Sequence, residues 1–201
     1  MKRKVAYSIV ATALATALAA PVFAAEEYYV GGSAGRTDAK EACDGLDSIG
    51  FVGSCDDTDT GWKLFGGYRF TPNFGAEAFY ADLGEFSASG TILGDPATAN
   101  DEANGFGVSA IGTWPISDEF GVFGKLGFFR WDLESSATIG AVSVSVDDKG
   151  TDLTFGVGAS YSFNESFSIR VEWERFNDVG EEDTTGKSDV DFLSAGVVLS
   201  F

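Results

Sequence analysis

The amino-acid sequence predicts an all-β fold, an eight-stranded antiparallel up-and-down transmembrane β-barrel that follows a cleaved export signal. Three observations predict it. The amino end has the three-part pattern of a secretory signal, and no later segment offers a long apolar run. The rest of the chain divides into segments of roughly ten residues with period-two alternation, as strands that cross a bilayer do. The connections between these segments alternate between short and long, the arrangement of a barrel with tight turns on one membrane side and loops on the other.

The export signal comes first. Lys2, Arg3 and Lys4 are cationic, Val5 to Ala20 is almost wholly apolar, and Pro21 ends that run ahead of Val22-Phe23-Ala24. An apolar stretch this short falls below the roughly 20 residues a spanning helix takes. Cleavage is expected after Ala24, which leaves residues 25–201 as one outer-membrane β-barrel domain of 177 residues. Removing three cations from a chain of net charge −18 leaves −21. So acidic a protein repels nucleic acid, which excludes that partner class. Membrane insertion without apolar helices requires a closed barrel, because only closure satisfies every backbone N–H and C=O in lipid.

The first strand is expected near Glu27–Gly35 and the second over GWKLFGGYRF, Gly61–Phe70. The third begins at Phe74 and passes Tyr80, the fourth ends at Trp114, and the fifth runs from Phe120 through Trp131. The sixth, Leu153–Phe163, sets Leu153, Phe155, Val157, Ala159, Tyr161 and Phe163 on one face and Thr, Gly and Ser on the other. The seventh, Phe167–Trp173, alternates Phe167, Ile169, Val171 and Trp173 with Ser168, Arg170 and Glu172. The eighth runs from about Val190 to Phe201, with Asp191, Leu193, Ala195, Val197, Leu199 and Phe201 facing outward. Aromatics at both ends of the apolar faces match interfacial girdles.

Thr71-Pro72-Asn73, Pro115 to Glu119 and Asn164-Glu165-Ser166 are short connections built from turn formers. Arg36–Thr60, Ser87–Asp101, Glu134–Lys149 and Asn177–Ser188 are expected to be long extracellular loops holding most of the acidic excess. Alternation in Ala141–Val146 predicts that the third is a protruding hairpin.

GWKLFGGYRF, the turn and FGAEAFYADLGEF after it, and the terminal DFLSAGVVLSF resemble the OmpA-like transmembrane-barrel family, including its OmpX-type small barrels. The resemblance covers essentially all of Ala25–Phe201 and implies residence in the bacterial outer membrane. It implies outer-membrane lipid and lipopolysaccharide as surroundings. It also implies that Phe201 serves as a signal read by the barrel-assembly machinery; the residue also reads as the last of the girdle. OmpA itself continues into a peptidoglycan-binding domain. This chain stops at Phe201, so cell-wall tethering is not carried over.

On the expected inward faces, Lys63, Glu77, Lys125, Arg170 and Glu172 lie three to seven residues above the short turns, roughly 10–23 Å along the strands. An eight-stranded barrel is just wide enough to be filled by side chains, so these charges are expected to pair as a plug. The resemblance implies a gate as the other role for such a cluster. Cys43 and Cys55, twelve apart in an exported chain, are expected to form a disulfide inside the first loop. Two thiols without His fall short of a metal site. Asp56-Asp57-Thr58-Asp59 reads as an acidic solvated loop, lacking the glycine and distal Glu of a calcium loop. The chain contains no His, so the commonest general base is missing, and no catalytic residue, cofactor or enzyme activity is expected. Three roles remain: a structural barrel supporting envelope integrity, a surface adhesin or ligand-binding barrel acting through its loops, and a narrow gated pore for ions or small solutes.

Overall fold

Period-two alternation lets a strand show lipid one face and the lumen the other, and eight of the nine strands among the described residues use it. The structure, a computed structural model, describes residues 27–44, 46–181 and 186–201. The expected signal and its cleavage after Ala24 lie outside these residues, as does part of the fourth loop. The strands are β1 (Glu27–Ala39), β2 (Phe51–Asp56), β3 (Thr58–Arg69), β4 (Phe74–Ile92), β5 (Asp95–Pro115), β6 (Phe120–Ile139), β7 (Val142–Asn164), β8 (Phe167–Val179) and β9 (Ser188–Ser200). Every pairing is antiparallel.

Eight of them close the expected barrel in the order β4-β3-β1-β9-β8-β7-β6-β5, with β5 returning to β4. Closure between the first and last strands is set by pairs such as Val30 with Leu199 and Ala34 with Ala195. The ninth strand departs from the expected fold. β2 pairs with the upper part of β4, above the stretch where β3 pairs, so β2 and β3 share one edge of β4. Much of the expected first loop is therefore sheet.

Two more expected loops are also sheet. Ser87–Asp101 is the upper half of the β4–β5 hairpin, turned at Leu93-Gly94, and both turn residues have positive φ. Glu134–Lys149 is the upper half of the β6–β7 hairpin, turned at Gly140-Ala141, which matches the hairpin expected there. β7 has 23 residues, on the order of 75 Å of extended chain, far more than a bilayer crossing needs. The Ser, Gly, Asn and Asp of these segments carry a loop-like composition. Cross-strand pairing overrides it, because each hairpin partner supplies the hydrogen bonds.

The short turns form where expected. Thr71 Oγ accepts the amides of Asn73 and Phe74 at 3.3 and 3.0 Å, Ser117 Oγ accepts Phe120 N–H at 3.1 Å, and Asn164 Oδ1 accepts Ser166 N–H at 2.9 Å. Outside the barrel, aromatics gather in two bands. Tyr28–Tyr68 and Tyr161–Phe163, with ring centroids 4.8 and 5.1 Å apart, lie on the turn side. Trp62–Tyr80 and Tyr80–Phe106, at 5.4 and 4.8 Å, lie on the other. Leu64, Val108, Leu126, Val157 and Val197 are exposed between them, as a lipid-facing belt requires.

The glycine content has a packing cause. Large inward aromatics stand across the ladder from glycine: Tyr29 from Gly67, Phe65 from Gly31, Phe79 from Gly107, Phe123 from Gly158 and Trp131 from Gly150. Each ring lies over its glycine, the only way so narrow a lumen holds so many rings. A Cβ on Gly150 would lie far inside van der Waals contact with Trp131 Cζ2. Gly150→Ala should destabilise the folded barrel by about 1–3 kcal/mol, read as a lower urea midpoint in lipid vesicles.

Candidate functional site

The charged residues that alternation places in the lumen meet there. β3 brings Lys63, β4 brings Glu77, β6 brings Lys125, and β8 brings Arg170 and Glu172; all five are buried. Glu77 accepts hydrogen bonds from Lys125 Nζ at 2.8 Å, from Arg170 at 2.8 and 3.2 Å, and from the Tyr29 hydroxyl at 3.1 Å. Glu172 is held by Arg170 at 2.6 Å, Lys125 at 2.7 Å and Lys63 at 3.1 Å. A sixth member, Glu174, pairs with Lys63 and accepts from Thr154 Oγ at 3.1 Å. Its signal is in the sequence: Arg170, Glu172 and Glu174 continue one alternating face, but the expected seventh strand stops at Trp173. With Glu174 the cluster is electroneutral, three cations against three carboxylates.

Aromatic rings clamp the cluster. The Arg170 guanidinium lies between Phe65 and Phe123, 4.4 and 4.6 Å from the ring centroids. Lys63 and Lys125 each approach Phe79, at 5.6 and 5.5 Å. Phe79 packs on Phe129 and Phe176, at 6.0 and 6.2 Å, and Phe129 and Phe176 meet at 4.7 Å. The lumen is therefore layered. On the turn side, a polar vestibule of about 500 Å³ includes Glu27 and Arg69. Above it stand the charges, then the aromatic trio, then Leu83, Leu133, Val179 and Val190 toward the far mouth.

The other sequence candidates lie apart from the cluster. Cys43 and Cys55 form a disulfide between the end of β1 and β2, with Cα atoms 5.9 Å apart. Asp56 Oδ1 accepts from Thr58 N–H and Oγ at 3.3 and 3.1 Å, bracing the β2–β3 junction, and Asp59 Oδ2 accepts from Glu85 N–H at 2.7 Å, tying β3 to the irregularity in β4. Phe201 is exposed on the lipid side, and its backbone pairs with Tyr28 at 2.9 and 3.1 Å.

Above the belt the outer face is acidic. Glu85, Glu102, Glu134 and Asp147 stand directly opposite one another across four strands, an unfavourable row of like charge. Arg175 chelates Asp191 at 2.6 and 2.8 Å. The hydrogen bonds from Arg175 hold the Asp191 carboxyl below its usual range.

Two measurements follow. A buried cluster without one partner retains uncompensated charge, so Glu77→Gln should cost about 3–5 kcal/mol in vesicle unfolding, and adding Arg170→Gln should recover part of it. Asp191 has a lowered pKa, so the stability it contributes is present above the free carboxylate's range, about pH 4, and lost as pH falls through its lowered value. Asp191→Asn should flatten that part of the stability–pH curve, by about 1 kcal/mol or less for a pair this exposed.

Known proteins share this architecture. Residues 10–201 match the family described as outer membrane protein beta-barrel domain. Outer membrane protein A of Shigella flexneri is 28% identical over 170 residues, covering 82% of this chain and 48% of that protein. The chain thus spans about half the length of the curated relatives it matches. Among solved structures, the attachment invasion locus protein Ail of Yersinia pestis superposes with a TM-score of 0.58 at 16% identity, covering 88% of this chain and 99% of that one. The Neisserial surface protein NspA gives 0.52 at 18% identity, covering 87% and 97%. With the closed barrel, its two girdles and a family match across nearly its whole length, the chain belongs to the outer membrane protein beta-barrel domain family and resides in the bacterial outer membrane.

Proposed function

We propose that the protein is a structural barrel that supports envelope integrity, with a lumen closed to solutes and no catalytic role. The observation that carries this reading is the electroneutral six-residue cluster under the Phe79–Phe129–Phe176 layer. Lys63 and Glu174 are fully out of solvent, and Glu77 is 2% exposed. Charges so buried and mutually paired act as a plug more readily than as a conduction path, since moving one ion through would break several pairs at once. Each carboxylate of the cluster is held by a cation, which leaves none of the three free to serve as a base.

Lipopolysaccharide contact is supported by Arg130. It projects outward above Leu126 and Phe128, beside Phe106 on the neighbouring strand, with no ion-pair partner among the described residues. A long cationic side chain at that height reaches anionic headgroups. During biogenesis we assign Phe201 the role of a recognition signal for the barrel-assembly machinery, supported by its exposed ring stacked beside Tyr28 in the turn-side girdle. Removal of the export signal after Ala24 belongs to the same reading.

A second reading, surface attachment to an extracellular ligand, has one observation in its favour. The tips of the long hairpins are apolar and exposed: Leu93 is 93% exposed despite its positive φ, and Ile139, Val142 and Val144 stand nearby on the other hairpin. Ail has been solved in complex with the heparin analogue sucrose octasulfate. The row of carboxylates here disfavours such a polyanion.

A deletion strain should become detergent-sensitive, and the purified protein should show negligible conductance in planar bilayers. Normal detergent resistance would remove the envelope role. Steady wild-type conductance would remove the plug, and conductance confined to Glu77→Ala or Lys125→Ala would make the cluster a gate.

A further inference from the structure

The extracellular mouth of the barrel contains a cavity of about 200 Å³ that neither the ion cluster nor the lipid-facing belt explains. Its walls include Phe86, Leu133, Val179 and Val190, all nearly or fully buried. One side is the Ala39–Asp44 segment, tied down next to it by the Cys43–Cys55 disulfide and by backbone hydrogen bonds from Ala39 to Asp57 at 2.8 Å and Lys40 to Asp189 at 2.9 Å. Deeper in the lumen Trp131, Phe129, Phe176 and Phe192 fill the space and the charges close it. The cavity therefore has an entrance and no exit.

Size and charge narrow what could occupy it. An apolar cavity of about 150 Å³ takes benzene. This one has room for a single six-membered ring with a short substituent. At its edge stand Glu41, Asp44, Asp101 and one cation, Lys187. Two of these are already engaged. Glu41 accepts from Ser188 Oγ at 3.3 Å and Asp189 N–H at 2.9 Å, and Lys187 lies 3.8 Å from Asp178.

Asp101 differs. It sits on the inward face of β5, two residues from buried Ala103, and is half-buried. Among the described residues its carboxylate has no partner. A half-buried carboxylate without a protein partner, on the wall of a cavity whose floor is apolar, matches a ligand with an apolar body and a protonated amine: the body lies against Phe86, Leu133, Val179 and Val190, and the ammonium donates to Asp101.

We propose that the mouth of this barrel is a dead-end binding pocket for a small aromatic or alkyl amine, with Asp101 as the residue that selects the ammonium. This goes beyond the envelope role and does not depend on it, because the pocket lies above the plug.

Benzylammonium is a suitable probe, with toluene as its uncharged counterpart, titrated by ligand-observed NMR against the full barrel in nanodiscs. Saturable binding of benzylammonium is expected. Asp101→Asn should weaken it about tenfold, as the loss of one charge-assisted hydrogen bond implies, and leave toluene unchanged. Leu133→Trp, or Val190→Phe if that variant fails to fold, should abolish binding of both by filling the cavity. The proposal is overturned if benzylammonium shows no saturation, or if a folded filled variant binds as the wild type does, since the signal then comes from lipid partitioning. It is also overturned if Asp101→Asn leaves the benzylammonium affinity unchanged, which would make the pocket an apolar hole without the selectivity claimed.

Discussion

A backbone amide left unpaired in hydrocarbon costs several kcal/mol, so a sheet that crosses a bilayer must have no edge. Here the β1–β9 ladder removes the last one. The rest follows from that closure. A closed ring of eight strands fixes a narrow lumen, and the pleat then sends every second side chain into it. Residues that would be surface positions in an open sheet become interior ones, and their chemistry must be satisfied inside a space only a few side chains wide.

The lumen meets this demand in two ways at different heights. On the turn side, charge is matched against charge: three cations and three carboxylates, each bonded to more than one partner, with Arg170 clamped between Phe65 and Phe123. Higher up, aromatic and aliphatic groups take over and need no partners. Phe79 joins the two regions, touching the lysines on one side and Phe129 and Phe176 on the other. Glycines opposite the large rings make the arrangement sterically possible. Composition and packing are here one fact: the glycine content is the counterpart of the aromatic content.

The strands do not end where the membrane does. The β4–β5 and β6–β7 hairpins continue as sheet well past the upper girdle, and β2 extends the same wall. The mouth of the barrel is thus a walled cup rather than a ring of separate loops, with its floor formed by the lumenal plug. Below the cup, the charged and aromatic layers of the lumen are occupied by their own side chains.

The sequence by itself determined the strand count of the barrel, the three turns and the inward placement of Lys63, Glu77, Lys125, Arg170 and Glu172. These are local properties: period-two alternation fixes a face, and Thr, Ser, Asn and Pro fix a turn. Even Glu174 was legible, two residues beyond Glu172 on the same face. Tertiary structure alone decided the rest. Whether Ser87–Asp101 is loop or ladder depends on a partner strand, and its polar composition gives no sign of one. Which carboxylate each cation takes depends on strand stagger around the ring, which alternation leaves undetermined. That Asp101 faces a cavity without a partner, while Asp191 is chelated by Arg175, is a matter of what closure places beside each of them.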